Sequence, residues 1–571
     1  MPRATAPWCL RCHTMRVTTP APTAPSARHM RDLRERRFLA ALVAITAVVG
    51  LWAALWSVLT PPFRAPDEFN HLNSALRIAH GGGWPEPGRA LLAPAVERAM
   101  TEGGWPGDLP GGRALNPEVP AFVAQTPVPR AERSRIETSQ AVRDRTGALD
   151  DGVVAAAVNA DAPTRPDAAA QGADVVDQMT QHPPGWYALG GGLLRLTGLH
   201  EGRWDHALLT LRLLGAVLLM PVVPLASSCV LRLTSSRGAA LVAAAFPLAI
   251  PQVGHIMGAA TNDTLIVSLG AVATYLAVRV VTGDVRRRGA VGLGLAAGAA
   301  MLTKLMGAFL IPVIVIAFAV ARVPWRTRVR RCLTALAVAF ATGGWWWARN
   351  LLTLGTLQPA GAPRDVSWIA PVPGDEVLGR SVRAMARSFF GSLGWLEIWM
   401  PYDVVWVAVA LVAATAVVAL GVRGARRAAL TVLVLPAGLW AGVIGNALSF
   451  WRETGRIVAL QGRYVFGGLT ALAVVMGLAV WHLCRRFDPR GVLAAPVALV
   501  VALMCAIGGL WWGLGAMYRD DGEPVVVALE RWAGWAALAA PVLVGVVTAT
   551  AAAFLTALLL TARWARHERA V

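Results

Sequence analysis

The sequence predicts an all-α, polytopic membrane protein of about twelve transmembrane helices, with a long first extracytoplasmic loop carrying surface helices. Three observations carry that prediction. The 571-residue chain is 56% hydrophobic and only 15% charged, against roughly 25% charged in a soluble domain. Its apolar residues fall in runs of about 20, the length that crosses a bilayer as a helix. Arginines cluster in alternate loops between those runs, as the positive-inside rule requires of cytoplasmic loops. The composition excludes a disordered chain, a collagen and a disulfide scaffold. The net charge of +19 would suggest a nucleic-acid partner in a soluble protein; here membrane topology accounts for it.

Residues 1–37 form a cytoplasmic tail, expected to be disordered. Cys9, Cys12 and His13 spell the C-x-x-C-H pattern of c-type haem attachment, but they precede the first span on the cytoplasmic side, so no haem is expected. The other four cysteines sit singly in or beside apolar runs. The first run, Phe38 to Thr60, follows Arg31, Arg34, Arg36 and Arg37. It is too long for a signal-peptide core and no small-residue cleavage site follows, so it reads as an uncleaved span. Further runs lie near 207–232, 239–257, 264–282, 288–303, 306–322, 331–350, 402–422, 428–449, 464–484, 492–516 and 536–562. Every loop expected inside is Arg-rich, including Arg232 and Arg237, Arg286 to Arg288, Arg423 to Arg427, Arg485 to Arg490, and the tail 563–571. Both termini are therefore expected in the cytoplasm, with the protein in the plasma membrane. Residues 38–350 are read as one membrane module that includes the first outer loop, 351–401 as a second outer loop and 402–562 as C-terminal helices.

The first outer loop, 61–206, holds 18 acidic and 13 basic residues, net −5 in a strongly basic chain. Its Ala- and Asp-rich stretch 150–178 is expected to be a flexible insertion. Of 53 basic residues only Lys304 is a lysine. Tryptophan numbers 23; Trp345, Trp346, Trp347, Trp395, Trp399, Trp511 and Trp512 are expected at the outer surface, as an interfacial belt or, for one or two, as sugar-stacking rings.

Five clusters near the outer face carry the candidate chemistry. Pro61-Pro62-Phe63-Arg64-Ala65-Pro66-Asp67-Glu68-Phe69-Asn70-His71 leaves the first span with its path fixed by three prolines. Asp67 there is either a helix cap or a general base on an acceptor hydroxyl. Gln181-His182-Pro183-Pro184-Gly185-Trp186-Tyr187 is either a rigid turn or a polar cluster folding back on Asp67. Thr261-Asn262-Asp263 reads first as an Asx cap. Lys304 either snorkels to the interface or faces a lipid phosphate. Arg349, Glu397 and Arg463 sit on the outer side, where arginine is unexpected; the two arginines bind phosphate or pair with an acid such as Glu397. Arg212 lies inside the second span, where a charge is costly and functional by default.

Taken in order, Ala-Pro-Asp67-Glu68-x-x-His71, Gln-His182-Pro-Pro-x-x-Tyr187, Thr-Asn262-Asp263, Leu-Thr-Lys304, Trp-x-x-Arg349-Asn350, Ser-Leu-Gly394-Trp395 and Gln-Gly-Arg463-Tyr464 resemble the bacterial membrane family called domain of unknown function 2142, over residues 38 to 484. That family is similar to the GT-C membrane glycosyltransferases of the protein O-mannosyltransferase and aminoarabinose transferase type. The resemblance implies transfer of a sugar from a polyprenyl-phosphate carrier to an extracytoplasmic acceptor. It implies Asp67 and Glu68 as catalytic residues, and His71, His182, Tyr187, Asn262, Asp263, Lys304, Arg349, Glu397 and Arg463 as substrate-binding. The adjacent Asp-Glu pair is not the spaced pair of metal-dependent oligosaccharyl transferases, so no cofactor is expected and a divalent metal is not favoured. Two rival readings are a polysaccharide polymerase or ligase with a diphosphate-linked donor, and a transporter.

Overall fold

Helices form where the apolar runs lie, and in the computed structural model they often extend past them. It describes residues 27–104, 128–144, 175–361, 369–520 and 522–570. The haem-like Cys9, Cys12 and His13 and most of the 150–178 stretch lie outside the described residues. In chain order the helices are α1 (Ala27–Leu59), α2 (Glu68–Ala79), α3 (Pro94–Glu102), α4 (Gly185–Leu196), α5 (Trp204–Leu219), α6 (Val222–Thr234), α7 (Arg237–Ala245) and α8 (Pro251–Met257). There follow α9 (Asp263–Val281), α10 (Arg287–Met301), α11 (Leu310–Val320), α12 (Trp325–Ala339), α13 (Trp345–Leu354) and α14 (Val377–Phe390). After a hairpin of β1 (Ser392–Leu393) and β2 (Ile398–Trp399) come α15 (Tyr402–Gly421), α16 (Arg426–Thr454), α17 (Leu469–Cys484), α18 (Ala494–Tyr518), α19 (Val525–Trp535) and α20 (Ala540–Ala570).

Among the described residues, eight helical stretches are long and apolar enough to cross a membrane, and the pair Arg237–Ala249 with Pro251–Met257, bent by 71°, makes a ninth if taken as one span. The expected count of about twelve is not confirmed. The runs at 288–303, 306–322 and 331–350 are helical but shorter or more highly charged: α10 has 15 residues, the stretch Leu305–Val320 is short, and α12 opens on Arg326, Arg328, Arg330 and Arg331. Pro251 at the start of α8 supplies the break in the bent pair, since proline donates no backbone hydrogen bond.

The terminal tails differ from expectation too. Residues 27–37 belong to α1 and 563–570 to α20, because the two helices pack side by side and order each other's ends. Buried Glu568 is ion-paired to Arg34 and lies 3.6 Å from Arg237, while Arg490 donates to its carbonyl at 2.6 Å. Arginines from the N-terminal segment and from two Arg-rich loops thus meet the C-terminal segment at one end of the bundle.

At the other end, the first loop builds its own apolar cluster around Phe63, Phe69, Leu72, Leu76, Val96, Trp186, Tyr187 and Trp204. The expected short helices are present, but α2 does not lie on the surface: nearly every residue from Glu68 to Ala79 is buried. Helix α4 crosses it closely, since a Cβ on Gly191 would stand 2.6 Å from the Ala75 carbonyl. The end of the Ala/Asp-rich stretch is tied down rather than flexible. Leu92 donates to the Val175 carbonyl at 2.7 Å and Asp177 to Ala90 at 2.9 Å. The bridges Ala90 with Asp144 and Leu91 with Val176, together with the β1–β2 hairpin, add short extended pairings to a helical fold.

Candidate functional site

The site starts from the strap between α1 and α2. Two of its residues have left-handed backbone, Phe63 (φ 60°) and Asp67 (φ 64°). Asp tolerates that region, but a bulky Phe there is an outlier that only surrounding contacts hold. Those contacts are visible. Phe63 stacks on Trp204 with centroids 5.5 Å apart, and its carbonyl accepts Trp395 Nε1 at 2.8 Å. Arg212 of α5 donates to the carbonyls of Ser57, Thr60 and Pro61 at 2.7–2.9 Å. The same guanidinium grips Glu68 through two bonds, 2.8 and 2.5 Å, and the Ala260 amide donates to Glu68 Oε1 at 3.0 Å. Arg212 therefore staples the ends of α1 and α2 to α5, and Glu68 is fully buried with both oxygens engaged. Its geometry suits a clamp rather than catalysis. Arg212→Met leaves that carboxylate buried and unpaired, so a loss of about 3–5 kcal/mol of stability is expected. Thermal unfolding of the purified protein checks this; an unchanged Tm would reject the clamp.

Asp67 sits at the N-cap position of α2 yet makes no side-chain cap bond, so the capping reading does not hold. Its Oδ2 accepts Arg463 Nη2 at 2.8 Å and its Oδ1 accepts Gln178 Nε2 at 3.2 Å. Arg463 also approaches Asp263, Nε to Oδ2 at 3.5 Å. Lys304 Nζ donates to Asp263 Oδ1 at 3.0 Å and lies 4.4 Å from the centre of the Tyr464 ring. Asp67, Arg463, Asp263 and Lys304 thus form one chain of alternating charge, each at most 5% exposed. Lys304 does not snorkel. Arg463 pairs with these two acids, so an acid partner is present but it is not Glu397, which faces Arg64 at 3.7 Å. The chain assembles because the segment Gly462–Gly468 lies flat on α9, where a Cβ on Gly270 would stand 2.1 Å from the Gly467 carbonyl.

Asn262 does not cap α9 through its side chain; Thr261 Oγ1 accepts the Asp263 amide instead, at 3.3 Å. Asn262 Nδ2 turns to the Tyr187 hydroxyl at 3.3 Å, which lies 3.1 Å from His71 Nδ1. Tyr187 stacks against Trp84 at 4.8 Å, and Trp84 Nε1 donates to the His182 carbonyl at 3.1 Å. Burial first, then the neighbouring Arg463 and Lys304 charges, holds His71 well below the ordinary histidine range. Burial and the same two cations do likewise for His182. Burial and nearby acids push the Tyr187 phenol up. Both imidazoles are thus neutral in the folded protein.

A pH dependence follows. Below about pH 6.5 the unfolded chain binds protons that the folded histidines refuse. Their contribution to stability is fully present above that pH and is lost as pH falls, at about 1.4 kcal/mol per pH unit for each. Tm recorded from pH 7.5 to 5.5 should drop more steeply for the natural protein than for a His71→Gln/His182→Gln variant. Equal slopes would contradict it.

Arg349 is not brought to this cluster: it is exposed, and its guanidinium lies over Trp346, 5.2 Å from the ring centre. Of the tryptophans expected as a belt, Trp347 is buried and donates to the Met301 carbonyl, and Trp395 stacks on Phe69; Trp511 is exposed. Sequence reasoning missed Gln178, Tyr464 and Trp84. Tyr464 stands inside a quoted motif; nothing in the sequence around Gln178 points to Asp67. Among the described residues no group of three His, Cys, Asp or Glu side chains is placed to hold a metal ion.

Fold and site together define a multi-span helical membrane protein with a buried, charge-balanced polar centre beneath its first long loop. The chain belongs to the family described as predicted membrane protein (DUF2142), whose profile matches residues 51–472. No curated protein matches it. Among solved structures it is similar to ArnT from Cupriavidus metallidurans in the apo state, with 17% identity over 68% of this chain and 64% of that one, at a TM-score of 0.40. The arabinofuranosyltransferase AftD from Mycobacteria matches at 22% identity over 56% of this chain and 23% of its own, TM-score 0.35. The Archaeoglobus fulgidus oligosaccharyltransferase matches at 14% identity over 60% and 45%, TM-score 0.29. The chain therefore spans less than two thirds of the length of each.

Proposed function

We propose that the protein is a glycosyltransferase of the plasma membrane that moves a sugar from a polyprenyl-phosphate carrier to a hydroxyl acceptor outside the cytoplasm, with both termini inside. The observation that carries this reading is the buried chain Asp67–Arg463–Asp263–Lys304. It holds a candidate base and two cations in contact, as a reaction that deprotonates a hydroxyl and releases a phosphate requires.

In this reading the acceptor oxygen attacks the anomeric carbon and its proton passes to Asp67. The bond from the anomeric carbon to the phosphate oxygen breaks, and the carrier phosphate leaves with the electron pair. Lys304 and Arg463 stabilise the leaving charge. A carboxylate bound to a guanidinium is a weak base. Carrier phosphate competes for Arg463 and so frees Asp67 when donor is present. Glu68 and Arg212 hold the strap, His71 and Tyr187 shape the wall, and Arg349 takes no part.

The experiment is mass spectrometry of lipids and envelope glycans in a deletion strain. A polyprenyl monophosphate sugar should accumulate and one glycan should lose that sugar. Accumulation of a diphosphate-linked oligosaccharide would favour the polymerase or ligase instead, and unchanged lipids and glycans would reject both.

A further inference from the structure

At the end of the bundle where α1 begins and α20 finishes, the two helices frame a cavity of about 580 Å³, a size typical of ligand sites. Arg37 and Ala40 of α1 line it, with Leu560, Arg563, Arg566 and His567 of α20. Every polar side chain on this wall is basic.

The three arginines have no acid partner among the described residues. The described acids of the two helices at this end are held by other arginines. Glu568 pairs with Arg34 and lies 3.6 Å from Arg237, and Glu35 meets Arg237 at 2.7 Å. His567 adds Nε2, a buried atom without a hydrogen-bond partner among the described residues. Like charges gathered in one place repel, and an anion between them removes that cost. The positive-inside pattern asks for arginines at this end, but it does not ask three of them to border one hollow.

Depth says which anion fits. Arg37 directly precedes the apolar run that starts at Phe38, and Arg563 directly follows the run that ends at Ala562. The guanidiniums therefore stand at the depth of lipid headgroups. Toward the bilayer centre the flanking surface turns apolar: Leu39 and Val43 on α1, and Leu555 and Leu559 on α20, are 46–66% exposed. Val43 is one turn from Ala40, and Leu559 one turn from Arg563. A phosphate held by the arginines would thus have apolar surface beneath it for acyl chains. Inorganic phosphate would use the arginines and leave that surface unused.

We infer that this cavity binds an anionic glycerophospholipid, with its phosphate diester on Arg37, Arg563 and Arg566 and its acyl chains along the seam of α1 and α20. Basic hollows between membrane helices take such headgroups, and guanidinium forks suit phosphate oxygens.

The test uses the full-length protein in phosphatidylcholine nanodiscs titrated with phosphatidylglycerol, with bound lipid read by native mass spectrometry. The natural protein should hold phosphatidylglycerol about 10-fold or more tightly than phosphatidylcholine, even in excess inorganic phosphate. Arg37→Gln/Arg563→Gln/Arg566→Gln should lower that affinity by about 10-fold or more. Arg287→Gln/Arg288→Gln/Arg423→Gln removes equal charge from exposed loop positions and should leave it within about 2-fold, because distant exposed charges are screened. A phosphatidylglycerol with a photoreactive acyl chain should label the natural protein on α1 or α20.

Equal retention of the two lipids overturns the inference, as do equal losses in the two triple variants. Labelling confined to other helices overturns it as well. Displacement by inorganic phosphate would make this a site for a soluble anion, and displacement by farnesyl phosphate a site for the carrier; either result rejects the glycerophospholipid. If the first triple variant fails to fold, lipid preference and labelling of the natural protein decide.

Discussion

Asp67→Asn is expected to lower sugar transfer by about 10²-fold or more while the protein folds and inserts as before. The substitution keeps the shape of the side chain and removes the basic oxygen. Its structural cost is small for two reasons. Asn tolerates the left-handed backbone that Asp67 adopts (φ 64°), and there is no side-chain cap bond to lose. The amide oxygen still accepts from Arg463 or Gln178. Tm should therefore change little while the turnover number collapses, with donor affinity largely kept. An Asp67→Asn variant that transfers sugar at the natural rate would remove Asp67 from the chemistry. Glu68→Gln is the contrasting control. Glu68 is locked by Arg212, so its loss should appear mainly in Tm.

The second large effect is expected at Lys304. Removing its ammonium should weaken carrier binding by about 10²-fold or more, since a charge-assisted contact to phosphate is lost in a buried setting. Lys304→Met alone leaves Asp263 with only the longer contact to Arg463, 3.5 Å, so it should also destabilise the protein. The double variant Lys304→Met/Asp263→Asn removes both charges together; it should fold and still fail to bind polyprenyl phosphate. Asp263→Asn alone should do the reverse: the freed ammonium should bind the carrier phosphate more tightly than in the natural protein. A purely structural Lys304–Asp263 pair predicts instead that carrier affinity moves in the same direction in both single variants, or not at all. Direct binding of farnesyl phosphate to the natural protein and the three variants decides between these outcomes.

Several motif residues that are far apart in the sequence meet at one place, and the sequence made that place legible through chemistry rather than distance. A lone lysine among 52 arginines and an arginine on the wrong side of the topology pattern were anomalies, and both turned out to be ionic partners of motif acids. Arg349 was the same kind of anomaly and lies elsewhere, over Trp346. Position along a helix fixes which side of the membrane a charge is on, but not which neighbour it faces. The cap readings of Asp67 and Asn262 failed for a related reason. Local spacing makes an Asx cap available, whereas a competing ion pair or phenol from another segment is invisible until the chain folds.

Whatever depends on short range and on solvent was therefore already written in the order of residues. Apolar runs must become helices in a bilayer because their backbone groups have no water to bond, so the multi-span helical architecture and the long first loop follow from hydropathy. The choice of partners came from the folded arrangement alone. The grip of Arg212 on Glu68, the reach of Gln178 to Asp67 and the zigzag from Asp67 to Lys304 join residues separated by tens to hundreds of positions. A buried charge is stable only beside its counter-charge, and which counter-charge arrives is settled by how the helices pack. It was likewise the packing, through close approaches at Gly191 and Gly270, that let two loops and three helices close around one polar centre.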